Sequence, residues 1–115
     1  SRIDISNAPH CVQEVLKLPN PTHLQRFMTV AYLADILTLG ELSKLSGEER
    51  SLVANDIYDF LESQDQHWDD WNPNVTSYQV NQIVSKGYTI GNVCRYASKR
   101  NLCSRCRVRL NNDVK

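Results

Sequence analysis

The sequence predicts an all-α protein, a compact bundle of five to six short helices in one domain over residues 1–115. Apolar residues recur every three or four positions in several segments, which is the spacing of one buried helix face. Four Ser/Thr-x-x-Gln/Glu motifs stand before such segments, and this motif caps the starts of helices. β-branched residues never alternate with polar ones over a useful length, so we expect no sheet.

Helix one is expected to start at Pro9, because a proline in the first turn of a helix loses no hydrogen bond. The sequence LPNP (18–21) ends this helix. Its buried face consists of Val12, Val15 and Leu16.

Three further helices follow, each behind a capping motif. The pair Thr22 and Gln25 caps a long helix at 23–37. The pair Thr38 and Glu41 caps a short one at 41–45, and the pair Ser46 and Glu49 caps a long one at 48–63. The apolar face of the first long helix contains Leu24, Phe27, Val30, Ala31, Ala34, Ile36 and Leu37, and that of the second contains Leu52, Val53, Ile57, Phe60 and Leu61.

The polar segment 64–76 is predicted to be a loop that Trp68 and Trp71 pin onto the bundle. Thr76 and Gln79 form a further capping motif for a helix at 77–86, which Gly87 closes. A last helix at 91–101 leads into the cysteine-rich C-terminal segment.

Charge is divided unevenly along the chain, although the net charge is zero. Residues 1–75 contain five basic and twelve acidic residues, and residues 76–115 contain eight basic residues and one acidic residue. Such segregation predicts a polyanionic partner for the basic part. A solvated basic tail is the alternative.

No apolar run approaches the roughly 20 residues that span a bilayer, and no signal-peptide pattern opens the chain. We therefore expect a soluble, cytoplasmic and monomeric protein without a membrane partner. Its abrupt start suggests a module excised from a longer protein.

Four cysteines, Cys11, Cys94, Cys103 and Cys106, form a complete ligand set for tetrahedral zinc or an iron–sulfur cluster. Only one Cys-x-x-Cys pair is present, so the zinc signal is weak. Two disulfides and buried unpaired thiols are the other interpretations. All of them predict that the C-terminal segment is tied to helix one.

Three stretches together resemble the C-terminal domain of the DNA primase large subunit of archaea and eukaryotes. APHCVQEVL (8–16) is similar to that family's Pro-Pro-Cys helix start, and HLQRFMTVAYLADILTLGELSKL (23–45) to its next segment. TSYQVNQIVSKGYTIGNVCRYASKRNLC (76–103) resembles its Tyr-x-[Ile/Val]-x-His helix and Cys-x8-Cys pair. Size and compactness look closer to the helix-bundle domain of archaeal plasmid primase–polymerases.

The resemblance implies an intracellular, archaeal replication domain that binds single-stranded DNA template and the initiating nucleoside triphosphate, such as ATP. It would help a separate catalytic primase–polymerase domain to start primers. Family members hold a [4Fe–4S] cluster through four cysteines. Here Gln82 stands where the family has His, and the chain ends nine residues after Cys106. Disulfides Cys11–Cys94 and Cys103–Cys106 are therefore preferred, with the cluster as the alternative.

Strand binding requires cations for phosphates and flat side chains for bases. The C-terminal part supplies both, and for Tyr96 core packing is the alternative. In the family His23 and Arg26 belong to a nucleotide-binding helix start, where the helix dipole favours a phosphate. The remaining candidates are Tyr78, Gln82, Lys86, Tyr88, Arg95, Tyr96, Lys99, Arg100, Arg105 and Arg107.

Catalysis within the domain is not expected. Polymerases hold Mg²⁺ with clustered carboxylates, whereas the acids of 56–70 fit a solvated helix face and loop. Two other functions remain open. One is a protein-interaction module that uses the acidic face, and the other is a thiol–disulfide redox domain that uses Cys103 and Cys106.

Overall fold

The computed structural model describes residues 3–6, 8 and 10–88. They form four α-helices and one 3-10 helix, in the order α1 (His10–Val15), α2 (His23–Thr38), the 3-10 helix (Leu42–Lys44), α3 (Gly47–Glu62) and α4 (Pro73–Ser85). The all-α prediction is confirmed for these residues, and they contain no strand. The predicted count of five to six helices is wrong for them, because the third helix is a single 3-10 turn. The predicted helix at 91–101 lies outside the described residues.

The capping boxes of the two long helices are confirmed. The Thr22 hydroxyl accepts the Gln25 N–H at 3.1 Å, and the Gln25 side chain accepts the Thr22 N–H at 2.7 Å. Ser46 and Glu49 repeat this exchange at 3.2 and 2.9 Å. Each box satisfies two backbone donors that a helix start leaves free, so the short motif fixes where the helix begins.

The predicted cap at Thr38 is wrong. Thr38 is the last residue of α2, and its hydroxyl donates to the carbonyl of Ala34 at 2.8 Å instead of capping the next helix. Leu39 then takes a left-handed conformation with a φ of 53°, and Gly40 follows at 78°. Backbone geometry rather than the Thr38–Glu41 motif therefore separates α2 from the 3-10 helix.

The predicted cap at Thr76 is also wrong, because α4 starts earlier and Asn72 caps it. The Asn72 side chain accepts the N–H groups of Asn74 and Val75 at 3.0 and 3.2 Å. Pro73 occupies the first turn, where proline costs no hydrogen bond, and Thr76 is buried inside the helix. The predicted end of the helix is confirmed, because glycine 87 follows the cap with a φ of 73°.

The core forms where α2 packs against the antiparallel pair of α3 and α4, and α1 packs against α2. Antiparallel packing follows from Arg50 near the start of α3, whose guanidinium donates to the carbonyl of Ser85 at the end of α4, 2.7 Å away. The interior contains Val12, Val15, Val30, Leu33, Leu42, Ile57, Phe60, Leu61, Val80 and Val84.

The sequence predicts Leu52 in the core, but this side chain is 65% exposed. It precedes the buried Val53 by one position, and one residue turns a helix by about 100°. That rotation carries Leu52 past the edge of the face that contacts α2 and α4. In the part of the chain that the structure describes, no helix has the length and apolarity to cross a membrane.

Candidate functional site

The first turns of α2 and the middle of α4 border one groove. Residues 23, 26, 27 and 30 of α2 recur at helical spacing and therefore point the same way, towards α4. Gln79, Val80 and Ile83 of α4 form the opposite wall. Leu61 of α3 and Trp68 of the following loop also line the groove. Two residues predicted to bind nucleotide, His23 and Arg26, thus line a largely apolar groove.

Arg26 is held from several sides. Its Nε donates to the carbonyl of Pro21 at 3.1 Å, and its guanidinium lies over the ring of Trp68, 4.7 Å from the ring centre. Nη2 and Nη1 donate to the two carboxylate oxygens of Asp70 at 2.9 and 3.3 Å. Nη2 also approaches Asn20 Oδ1 at 3.4 Å. The cation at the groove is therefore neutralised by a carboxylate 44 residues away in sequence.

The hydrogen bond from Arg26 lowers the pKa of Asp70, and the positive charge of Arg26 adds to this effect. The carboxylate is therefore ionised at neutral pH and is a full anionic partner for the guanidinium. The Asp70 side chain is 61% exposed, whereas the Arg26 side chain is only 18% exposed.

The loop between α3 and α4 attaches through its tryptophans, as predicted. Trp68 is buried, and its indole N–H donates to the carbonyl of Val15 at 3.3 Å. The Asp69 N–H donates to the carbonyl of Pro19 at 2.7 Å. Trp71 stacks on His67 with ring centres 4.4 Å apart. The loop thereby contacts the end of α1 and the segment that leads into α2.

Tyr78, Gln82 and Lys86 are four positions apart on α4 and its C-terminal cap, and so form one stripe. Tyr78 and Lys86 are exposed, and Gln82 is half-buried. Each member of this stripe precedes Gln79, Ile83 or Gly87 by one position, and one residue turns a helix by about 100°, so the stripe lies on a different side of α4 from the residues that line the groove.

Tyr88 is the last described residue and lies beside the groove. Its ring packs edge-on against Phe27 with ring centres 4.9 Å apart, and Phe27 itself lines the groove. The chain therefore leaves the described bundle next to the predicted nucleotide site.

The basic candidates Arg95, Lys99, Arg100, Arg105 and Arg107 lie outside the described residues, as does Tyr96. The described residues contain five basic and twelve acidic residues, a net charge of −7, whereas residues 89–115 contain seven and one, a net charge of +6. The predicted strand-binding charge is thus concentrated beyond Tyr88.

The sulfur predictions are not tested by the structure. Cys11 lies in α1, and Cys94, Cys103 and Cys106 lie outside the described residues. Among the residues that are described, no group of three or more His, Cys, Asp or Glu side chains is arranged to hold a metal ion.

Two structural contacts were not predicted from the sequence: the pairing of Asp70 with Arg26, and the role of Arg50. The Arg50 guanidinium bridges the carbonyls of Ser85 and Ser43, at 2.7 and 3.3 Å, and so joins α4 to the 3-10 helix. Neither contact leaves a local signal, because each joins residues distant in sequence. The Trp-x-x-Trp spacing in an otherwise polar loop is the one usable indication that this loop is attached.

Comparison with known proteins gives no identification. No family model matches the chain, and neither a curated protein nor a solved structure is significantly similar to it.

Proposed function

We propose that this domain binds single-stranded DNA through residues 86–115, the basic segment, and a nucleoside triphosphate at the groove between α2 and α4. It presents both ligands to a separate primase–polymerase domain that carries the catalytic metal ions. The observation that carries the proposal is the contact between Tyr88 and Phe27. Through this contact the start of the basic segment lies directly beside the groove that His23 and Arg26 line.

The residues at the groove include apolar side chains, which suit a base, and positively charged groups, which suit a phosphate. Phe27 and Ile83 contribute apolar side chains to the lining of the groove, and Gln79 contributes a polar one. His23 is the first residue of α2, where the positive end of the helix dipole favours a phosphate. Arg26 adds a planar guanidinium, whose N–H groups can bind two oxygens of one phosphate group.

The basic segment supports the DNA part of the proposal. Cations along a chain bind a strand by releasing its condensed counterions, and aromatic rings contribute stacking of about 1–3 kcal/mol per base. Exposed Tyr78 and Tyr88 flank Lys86 at the start of that segment. Because the described bundle has a net charge of −7, it repels a strand, and we expect the strand to bind the basic segment.

Binding of a labelled single-stranded oligonucleotide, followed by fluorescence anisotropy, tests the DNA part. We expect affinity to fall at least about tenfold from roughly 50 to 200 mM salt, because phosphate contacts release counterions. Arg95→Glu with Lys99→Glu should lower affinity at the lower salt by at least about tenfold and make the salt dependence shallower.

Single substitutions supply a matched control. Arg95→Glu and Lys17→Glu change the net charge equally, but Lys17 is an exposed residue just after α1, remote in sequence from the basic segment. Only Arg95→Glu should weaken binding beyond the general effect of added negative charge. Equal effects of both changes, or no binding at low salt, would contradict the proposal.

A protein-interaction module is the second candidate, and the acidity of the described bundle favours it. Exposed Leu52 lies on the outer surface of α3 with Asp59 and Glu62, which is the composition of a surface for a basic partner. This function predicts no oligonucleotide binding at moderate salt. It also predicts that Leu52→Asp leaves folding intact and abolishes capture of a basic replication protein.

A further inference from the structure

We propose that Asp70 is a built-in competitor of the phosphate ligand, since its carboxylate occupies the edge of Arg26 that a phosphate would bind. The inference rests on the proposed nucleotide function and adds a regulatory residue to it. The two carboxylate oxygens face Nη2 and Nη1 at 2.9 and 3.3 Å, which is the two-point arrangement a phosphate also makes with arginine. Only one of the two anions can hold this edge at a time.

Arg26 stays in place when Asp70 leaves. Its Nε remains bonded to the carbonyl of Pro21 at 3.1 Å, and its guanidinium remains over Trp68, 4.7 Å from the ring centre. Neither contact involves Asp70. A departing carboxylate therefore frees the donors of Nη1 and Nη2 that face Asp70, while Nη2 keeps its contact with Asn20 at 3.4 Å. Because the rest of the side chain is already fixed, an incoming phosphate orders no further part of it.

Asp70 can also leave without detaching the loop. Trp68 anchors the loop by burial and by its 3.3 Å bond to Val15, and the Asp69 N–H anchors it by its 2.7 Å bond to Pro19. The Asp70 side chain is 61% exposed, and its described partner is Arg26. A rotation of one exposed side chain is enough to open the site.

The competition selects for charged ligands. A neutral nucleoside offers nothing that replaces the carboxylate on Arg26, so it would leave the ion pair closed. A triphosphate carries several negative charges, so it brings more negative charge to Arg26 than the single carboxylate charge that it displaces. We therefore expect Asp70 to discriminate against adenosine-like ligands and in favour of phosphorylated ones.

Asp70→Asn tests the inference, with Asp69→Asn as a control of identical charge change one residue away. The Asp69 side chain can be changed without loss of the backbone bond to Pro19. Measured by calorimetry with ATP, Asp70→Asn should bind about two- to fivefold more tightly than Asp69→Asn, the range that corresponds to an exposed ion pair. Adenosine should bind both variants equally.

A second set of variants isolates the role of Arg26. In an Arg26→Gln background, Asp70→Asn should no longer tighten ATP binding, because the cation for which the carboxylate and the phosphate compete has been removed. Asp70→Ser provides an independent replacement that is also neutral. Both tryptophans lie in this loop region, so their emission reports whether the loop stays attached in each variant.

The outcomes separate this inference from the proposed function. ATP binding that is equal in wild type, Asp70→Asn and Asp69→Asn overturns the competition and leaves the nucleotide function intact. Binding of ATP by none of the variants overturns both. An advantage of Asp70→Asn that extends to adenosine, or that persists without Arg26, also overturns the competition.

Discussion

Arg26 illustrates how one residue can serve both folding and binding. Its contacts with the Pro21 carbonyl and the Trp68 ring hold its side chain against the loop at 63–72, while its pair with Asp70 is open to water. Pairs in which one partner is exposed contribute little stability, because water screens the charges. The contacts with Pro21 and Trp68 therefore hold Arg26 in the fold, whereas a ligand can replace Asp70 in the exposed ion pair at little cost in stability.

The pH dependence of the Arg26–Asp70 pair follows from the direction in which folding shifts the pKa of Asp70. Arg26 lowers the pKa of Asp70 in the folded protein below the ordinary aspartate value of about 3.9. The pair therefore contributes its full stability above that ordinary value and loses it as the pH falls through the lower folded value.

We expect acid unfolding, followed by tryptophan emission, to start at a higher pH in Asp70→Asn than in wild type. Asp69→Asn should unfold like wild type, because Asp69 is held through its backbone N–H, which the substitution leaves in place. Identical acid transitions for all three proteins would show that the pair contributes no measurable stability in solution.

At the scale of elements, Arg50 binds the end of α4 at the point where the chain leaves the described bundle. Its guanidinium holds the carbonyls of Ser85 and Ser43, and Gly87 passes directly over it. An added Cβ at Gly87 would lie 3.5 Å from Nη1, in ordinary contact, but the φ of 73° favours glycine. The position of Tyr88, and with it the start of the basic segment, depends on this junction.

Arg50→Lys should lower the free energy of unfolding by about 1 kcal/mol, because an ammonium cannot bridge both carbonyls as the guanidinium does. The Nε of Arg50 is buried without a partner among the described residues, which offsets part of the loss. Amide exchange near Ser85 and Tyr88 should also become faster. Chemical denaturation and hydrogen exchange measure the two effects.

Lys44→Ala is the control, since its 3.4 Å pair with Glu41 is exposed at both ends. We expect a change of less than about 0.5 kcal/mol. If Arg50→Lys were as stable as Lys44→Ala, Arg50 would have no role in holding the end of α4.

The capping motifs show what local sequence can and cannot predict about these elements. Thr22 and Ser46 were identified correctly, because a reciprocal capping box is complete within four residues. Thr76 carries the same motif, yet Asn72 with Pro73 starts the helix earlier and burial then takes Thr76 into the core. Competition between two possible starts is decided by packing, which the local motif does not contain.

At the scale of the whole molecule, the helical class followed from periodicity, whereas His23 and Arg26 were selected through the family resemblance, and their role as a nucleotide site stays a prediction. His23 and Arg26 do line a groove, together with α4. The Asp70 contact could not be predicted, because it joins residues 44 positions apart through a loop without periodicity. The nucleic-acid prediction rests on the charge division between the described bundle and residues 89–115.

The most direct test of the central claim is an NMR titration of the labelled domain with single-stranded oligonucleotide, without and with ATP, at low salt. We predict that the strand shifts the signals of residues 86–115 and that ATP shifts those of His23, Arg26 and Phe27. Signals from the outer surface of α3, such as Leu52, should stay unchanged. A domain whose signals respond to neither ligand, or respond on α3 alone, would contradict the proposed function.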